Sequence, residues 1–89
     1  MLEINYTTRF KRDVKLIKKR NKDTEKLKTL IKKLANEEEL EARYCDHSLV
    51  GNYKGRRECH IEPDWLLIYK KEPKIIILER TGSHSDLFK

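Results

Sequence analysis

The segment EPDWLLIYKKEP, residues 62–73, contains one strand between two turns. Its middle, residues 65–69, is too apolar for a strand that exposes one face to water, so it is predicted to lie at the centre of a sheet. Glu62-Pro63 and Glu72-Pro73 mark turns, because proline fixes φ and cannot donate to a β-ladder. Residues 53–61 alternate in part, and residues 74–80 are rich in isoleucine, so strands are predicted on both sides of the segment.

The first half of the chain predicts one strand and two helices. Residues 2–6 alternate apolar and polar side chains, as in a short strand. Helices of about 8 to 20 and about 24 to 36 follow from apolar residues at helical spacing: Phe10, Val14 and Ile17, then Leu27, Leu30, Ile31 and Leu34. The order β-α-α-β-β-β predicts an α+β fold, with an antiparallel two-helix hairpin on one face of a largely antiparallel sheet.

Length and composition indicate a small folded unit. A chain of 89 residues has room for one modest core, so residues 1–89 are expected to form a single domain. The longest apolar run, residues 65–69, is far shorter than the roughly 20 residues that cross a bilayer. The start MLEINY lacks the basic and apolar regions of an export signal, so a soluble cytoplasmic protein is expected. Cys45 and Cys59 are then expected to be reduced thiols.

Positive charge is concentrated in the helical region. Residues 9–33 contain twelve Lys or Arg and three acidic residues, a net +9, which exceeds the +6 of the whole chain. Such a surface can be a solvated helix face or a site that binds nucleic acid, where cations pair with phosphates. Composition alone leaves both interpretations open.

The two turns bring polar residues together at one end of the predicted sheet. Tight hairpins place His60 opposite Trp65, and residues 64–66 opposite about 80 to 78. Residues 81–84 then leave the sheet from that same end. We therefore expect a cluster made of His60, Asp64, Trp65, Arg80 and His84. His47 precedes these strands in a loop without a pattern, and the sequence does not place it.

The cluster suits cleavage of an RNA phosphodiester. Histidines and a carboxylate can take and give protons near neutral pH, and an arginine can stabilise charge on phosphoryl oxygens. Trp65 and Phe88 could stack on unpaired bases, although core packing is an alternative for either ring. Arg56, on the same predicted side of its strand as His60, is a further candidate for contact with substrate.

Two stretches carry a resemblance to a known family. DHSLVGNYKGRRECHIEPDWLLIY, residues 46–69, and LERTGSHSDLF, residues 78–88, resemble the YafQ branch of the RelE/ParE toxin superfamily, whose fold is similar to that of microbial ribonucleases. The resemblance extends over the whole chain. It matches the family's functional positions to His47, His60, Asp64, Trp65, Arg80, His84 and Phe88.

The resemblance implies a ribosome-dependent endoribonuclease of a type II toxin–antitoxin system. Such a toxin cuts mRNA in the ribosomal A site without a metal or other cofactor, leaving a cyclic or 3′-phosphate. A DinJ-like antitoxin would wrap around it and bind operator DNA, and no membrane is involved. His84 is expected to be the general acid, Asp64 with His60 or His47 the base, and Arg80 the phosphate ligand. Ribosomal RNA would contact Lys11, Arg12, Lys15, Lys18, Lys19, Arg20 and Lys22.

Two alternatives remain at this point. His47, His60, Asp64 and His84 could in principle form a zinc site of a metallo-nuclease, although no two of them form a short His-x₃₋₅-His element. A non-catalytic binding toxin, such as the gyrase-directed members of the superfamily, would share the fold without needing the histidines.

Overall fold

The computed structural model describes residues 1–88 and contains five strands and three helices in that range. The strands are β1 Glu3–Tyr6, β2 His47–Ser48, β3 Arg57–Glu62, β4 Trp65–Lys71 and β5 Ile75–Gly82. The helices are α1 Thr8–Lys19, α2 Thr24–Ala35 and α3 His84–Leu87, and short 3₁₀ turns occur at Ala42–Tyr44 and Gly51–Tyr53. None of the described helices has the length and apolarity needed to cross a membrane.

The strands form one mixed sheet in the order β1-β5-β4-β3-β2. β1 runs parallel to β5, and the other three pairings are antiparallel. The α+β fold with helices on a largely antiparallel sheet is confirmed. Two elements were not predicted: the two-residue strand β2, which carries His47, and the short helix α3.

Side-chain caps begin both long helices where the sequence predicts. Thr7 accepts a hydrogen bond from the amide of Phe10 at 3.0 Å, and Asp23 accepts one from the amide of Glu25 at 3.0 Å. These oxygens satisfy N–H groups that lack partners in the first turn of a helix. The apolar stripes of α1 and α2 are buried against the sheet, which explains why the sequence period located both helices.

β4 is buried on both faces, as its composition predicts. Trp65, Leu67 and Tyr69 pack in the core under the helices. Leu66 and Ile68 belong to a second, smaller cluster on the opposite face of the sheet, together with Leu87. The second face therefore needs an apolar cover, and the C-terminal segment provides part of it.

The predicted strand register was wrong in detail. His60 pairs with Leu66 rather than Trp65, because Glu62 pairs with Trp65 and a bulge follows between His60 and Glu62. In the next hairpin β4 continues to Lys71, and β5 has a bulge between Leu78 and Arg80. Arg80 consequently pairs with Ile68, whereas the predicted register placed it opposite about residue 64.

Candidate active site

Three histidines form a row on the face of the sheet that the long helices do not cover. His60 lies in the middle: its ring centroid is 6.4 Å from that of His47 and 5.8 Å from that of His84. β2 brings His47 to this row by pairing it with Glu58. The structure thus places His60 and His84 together, as the hairpins predict, and also places His47, which the sequence could not.

Glu58 connects two of these histidines. Its carboxylate is buried, and Oε2 lies 3.0 Å from Nε2 of His47 and 3.6 Å from Nε2 of His60. The other ring nitrogen of His47 is 2.6 Å from the carbonyl oxygen of Cys45. Since an acceptor faces each nitrogen of His47, both can donate only when the ring is protonated.

Sequence reasoning missed the role of Glu58. The signal was available, because Glu58 and His60 are two residues apart on one strand and therefore share a face. A carboxylate beside a histidine on the polar side of a strand could have been included in the site on that ground.

Asp64 binds His84 through two donors. Its Oδ1 accepts a hydrogen bond from the His84 amide at 2.9 Å and lies 2.6 Å from the ring Nδ1. The hydrogen bond from the His84 amide is the main cause that holds the pKa of Asp64 below its usual range, and the hydrogen bond from the His84 ring is the next. An ionised Asp64 fixes the proton on Nδ1 and leaves Nε2 of His84 for other partners.

The segment that carries His84 is a capped helix, which the sequence analysis did not predict. The Ser83 hydroxyl accepts from the Asp86 amide at 3.2 Å, and the Asp86 carboxylate accepts from the Ser83 amide at 2.9 Å. This reciprocal pair is a capping box. Gly82 permits it, because a Cβ there would lie 2.8 Å from Oδ2 of Asp86. The spacing Ser-x-x-Asp in the sequence could have predicted the cap.

Arg80 is held by an aspartate that the sequence did not point to. Its Nε and Nη2 donate to the Asp13 carboxylate at 2.7 and 3.2 Å, and each side chain is only 13% exposed. Hydrogen bonding to Asp13 raises the pKa of Arg80. Arg80 therefore remains charged, but it is a paired cation rather than a free strand-end charge.

Trp65 does not lie in this cluster, which corrects the expectation that it stacks on a base. Its side chain is 1% exposed in the core beneath the helices, and Nε1 donates to Oγ1 of Thr81 at 2.9 Å. The predicted hairpin end was right, but alternate residues of a strand face opposite sides of the sheet. His60 pairs with Leu66, the residue next to Trp65 on β4, so His60 and Trp65 lie on opposite faces.

Phe88 and Arg56 remain accessible enough to meet a ligand. Phe88 is 41% exposed and contacts Tyr53 edge to face, with centroids 5.6 Å apart. Tyr53, which the sequence analysis did not single out, also donates to the Leu87 carbonyl at 3.4 Å. Arg56 donates to Glu79 at 2.9 Å.

The seven basic residues expected to contact ribosomal RNA fall into two groups. Arg20 binds Asp86, Lys22 binds Glu62, and Lys11 lies over the ring of Tyr6. The others are exposed and have no ion pair among residues 1–88: Arg12, Lys15, Lys18 and Lys19. Within the same range, no three His, Cys, Asp or Glu side chains are grouped so as to hold a metal ion.

Comparison with known proteins identifies the family. The family model described as "Bacterial toxin of type II toxin-antitoxin system, YafQ" matches residues 2–89. The chain belongs to the YafQ family. An mRNA interferase toxin YafQ from Escherichia coli strain K12 is 49% identical over 87 residues, which cover 97% of this chain and 95% of the relative.

Two crystal structures of YafQ proteins have the same fold. YafQ from E. coli strain BL21(DE3) matches with a TM-score of 0.95 and 47% identity, over 100% of both chains. The E. coli DinJ-YafQ toxin-antitoxin complex matches with a TM-score of 0.92 and 48% identity, over 99% of this chain and 98% of that chain. The resemblance carried by the sequence motifs is thereby confirmed.

Proposed function

We propose that this member of the YafQ family is an endoribonuclease toxin that cleaves mRNA in the ribosomal A site by attack of the 2′-hydroxyl, without a metal ion. The coarse assignment, an mRNA interferase toxin of a type II toxin–antitoxin system, is supported by 49% identity to a YafQ protein of that name. The reaction would take place in the cytoplasm, where mRNA and ribosomes meet.

One observation carries the chemistry. The His84 ring is oriented by Asp64, and its centroid lies 5.8 Å from that of the His60 ring on an open face. The 2′-oxygen forms a bond to phosphorus as its proton passes to a base, and the bond to the 5′-oxygen breaks as that oxygen gains a proton. The products are a 2′,3′-cyclic phosphate and a 5′-hydroxyl. Two imidazoles on one face can serve the two proton transfers.

His84 acts as the general acid, because Asp64 occupies Nδ1 and leaves Nε2 for the leaving oxygen. Asp64 is then an orienting group rather than the base expected from the sequence. His60 takes the proton of the 2′-hydroxyl, and the buried Glu58 beside it stabilises the positive charge that the ring acquires.

The remaining residues bind the substrate. Arg80, held by Asp13, is a fixed cation that stabilises charge on the phosphoryl oxygens. Phe88 stacks on a base, and Arg56 contacts the RNA backbone. Ribosomal RNA meets four exposed cations of α1, Arg12, Lys15, Lys18 and Lys19, with Lys11 and Lys22 at the margin.

An antitoxin restrains the enzyme. The E. coli DinJ-YafQ complex, whose toxin chain matches this one closely, supports a DinJ-like partner. This antitoxin would also attach the complex to operator DNA.

Single-turnover cleavage of mRNA on programmed ribosomes tests the proposal. His84→Gln, which keeps size and polarity but cannot act as an acid, is expected to slow cleavage by about 10² to 10⁴. Lys28→Gln, which removes an exposed ion pair with Glu25, is the matched control and should cleave at the wild-type rate. Cleavage by His84→Gln at the wild-type rate would contradict the mechanism.

The two alternatives predict different results. A zinc-selective chelator, which leaves Mg²⁺ for the ribosome, should not change the rate; inhibition would indicate a metallo-nuclease. A gyrase-directed toxin would cause DNA damage on expression while mRNA stays intact.

A further inference from the structure

The contact between His84 and Asp64 joins two separate segments on the surface. Asp64 lies in the turn between β3 and β4, and His84 begins α3. Both side chains are largely exposed, 53% for His84 and 70% for Asp64. An exposed pair contributes little stability by itself. Other contacts must therefore hold the two segments at this distance.

Asp86 attaches α3 to the first helix, in addition to the packing of the buried Leu87 on the sheet. Its carboxylate accepts from Nη1 and Nη2 of Arg20 at 2.7 and 3.2 Å, and from the Ser83 amide at 2.9 Å. The hydrogen bonds from Arg20 hold the pKa of Asp86 well below its usual range. The pair is therefore charged throughout the neutral range, and it lies two residues from His84.

Arg20 is a rigid anchor, because it follows directly on α1. Its amide donates to the carbonyl of Leu16 at 3.0 Å, so its backbone is hydrogen-bonded to the last turn of the helix. Ile17, one turn earlier, is 2% exposed in the main core. The planar guanidinium contacts both oxygens of Asp86, a two-point contact that fixes orientation as well as distance.

A second ion pair fixes the other end of the same segment. Asp13, two turns before Arg20 on α1, binds Arg80 and accepts from the Thr81 amide at 3.1 Å. Residues 80–86 are thus attached to one face of α1 at both ends. The catalytic histidine lies inside the interval that these two pairs define.

We propose that Arg20 is a positioning residue for His84, acting through Asp86, and not one of the cations that bind RNA. The inference rests on the proposed role of His84 as general acid. Removing Arg20 frees the N-terminus of α3 from α1, and His84 then spends less time at the distance from His60 that the reaction needs. Misplacement of a reacting group by about 1 Å can slow a reaction about 10²-fold.

Single-turnover cleavage on programmed ribosomes tests this role. Arg20→Gln is expected to lower the saturating rate by about 10- to 100-fold, with the half-saturating concentration unchanged. Arg20→Lys keeps the charge but loses the two-point contact, so it should recover only part of the rate. Asp86→Asn removes the ion pair and retains an acceptor for Ser83, so it should match Arg20→Gln. Lys28→Gln should match the wild type.

The decisive comparison is a double variant. In the His84→Gln background the acid is already absent, so Arg20→Gln should cause no further loss. An equal loss in both backgrounds, or a raised half-saturating concentration with an unchanged saturating rate, would overturn the inference. A wild-type rate for Arg20→Gln alongside a slow His84→Gln would also overturn it while leaving the proposed function intact. A wild-type rate for His84→Gln would instead contradict the proposed function.

Discussion

At the scale of single residues, Glu58 is the buried charge around which the histidines are arranged. It lies between His47 and His60, and neither ring has another carboxylate partner among residues 1–88. A buried carboxylate is costly unless it is paired, and the two imidazole rings are its partners here.

Replacing Glu58 by Gln should slow cleavage without unfolding the protein. The amide has the same shape but cannot stabilise a protonated His60. The saturating rate should therefore fall by about 10²-fold, the lower end of the effect of acid–base groups. Glu72→Gln, which removes the exposed pair with Lys70, is the control. Single-turnover rates and a thermal unfolding curve measure both effects; an unchanged rate would exclude Glu58 from the proton chemistry.

Trp65 is expected to affect stability but not RNA binding, and Phe88 is expected to affect RNA binding but not stability. Trp65→Phe removes the hydrogen bond to Thr81 and leaves a cavity in the core, so unfolding in urea should show a loss of about 1 to 3 kcal/mol, with unchanged RNA affinity. Phe88→Ala should leave stability nearly unchanged and weaken RNA binding by about 1 to 3 kcal/mol, the value of one stacked base. Weaker RNA binding by Trp65→Phe would contradict the assignment of Trp65 to the core.

At the scale of elements, the free edge of β5 explains why α1 lies where it does. β1 pairs with β5 only as far as Leu78, so within residues 1–88 the outer edge of β5 has no strand partner beyond that residue. Side chains from the start of the helical region supply the missing contacts: Thr7 donates to the Glu79 carbonyl at 2.8 Å, and Asp13 accepts from the Thr81 amide. Side chains here replace a sheet ladder.

Asp13→Ala should be the more damaging of two substitutions at this edge. It leaves the half-buried Arg80 without its counter-charge and the Thr81 amide without its acceptor, so we expect a loss of about 2 to 4 kcal/mol in the free energy of unfolding. Asp13→Asn retains one acceptor and should cost less. Glu25→Ala, at an exposed pair, should stay within about 1 kcal/mol of the wild type. Urea titration gives all three values, and equal stability for Asp13→Ala and the wild type would refute the role of this edge contact.

At the scale of the whole molecule, ion pairs connect the basic region to the site and make stability depend on pH. The pKa of Asp86 and the pKa of Glu62 are both lowered, chiefly by hydrogen bonds from Arg20 and from Lys26, respectively. A lowered pKa in the folded state adds stability above the unfolded value, about 4, and this stability is lost as the pH falls through the folded value.

Acid titration of Asp86→Asn should reveal this contribution. At pH 6 the wild type is expected to be more stable than the variant, and the difference should shrink steadily as the pH falls below about 4. The urea midpoints of both proteins between pH 6 and pH 2 measure it. A difference that stays constant over this range would show that the Asp86 charge contributes nothing.

The net charge of +6 also predicts how binding responds to salt. The affinity for ribosomes or RNA should fall linearly on a log–log plot against salt concentration, because cations that meet phosphates release counterions. Replacing Lys15 and Lys18 together by Gln should flatten the slope by about 1.4 to 1.8, whereas Arg20→Gln should leave it unchanged. Filter binding at several salt concentrations distinguishes the two cases.

The sequence by itself determined the two long helices, four of the five described strands and their order. The helix stripes, the two proline turns and the apolar run at 65–69 depend only on neighbours in the chain, so they correctly predicted the α+β class. The motifs around His60 and His84 also led to the YafQ family. The Ser83 and Asp86 cap and the spacing of Glu58 from His60 are equally local, so both features were within reach of prediction.

Only the tertiary structure decided which residues share a face and which charges are paired. A single bulge shifts every later pairing by one residue, so the sequence could not show that Arg80 lies opposite Ile68 or that Trp65 lies on the far side from His60. The partners Asp13–Arg80 and Arg20–Asp86 are more than sixty residues apart in the chain. No local period encodes such contacts, because they exist only once the core has brought α1 against the end of β5.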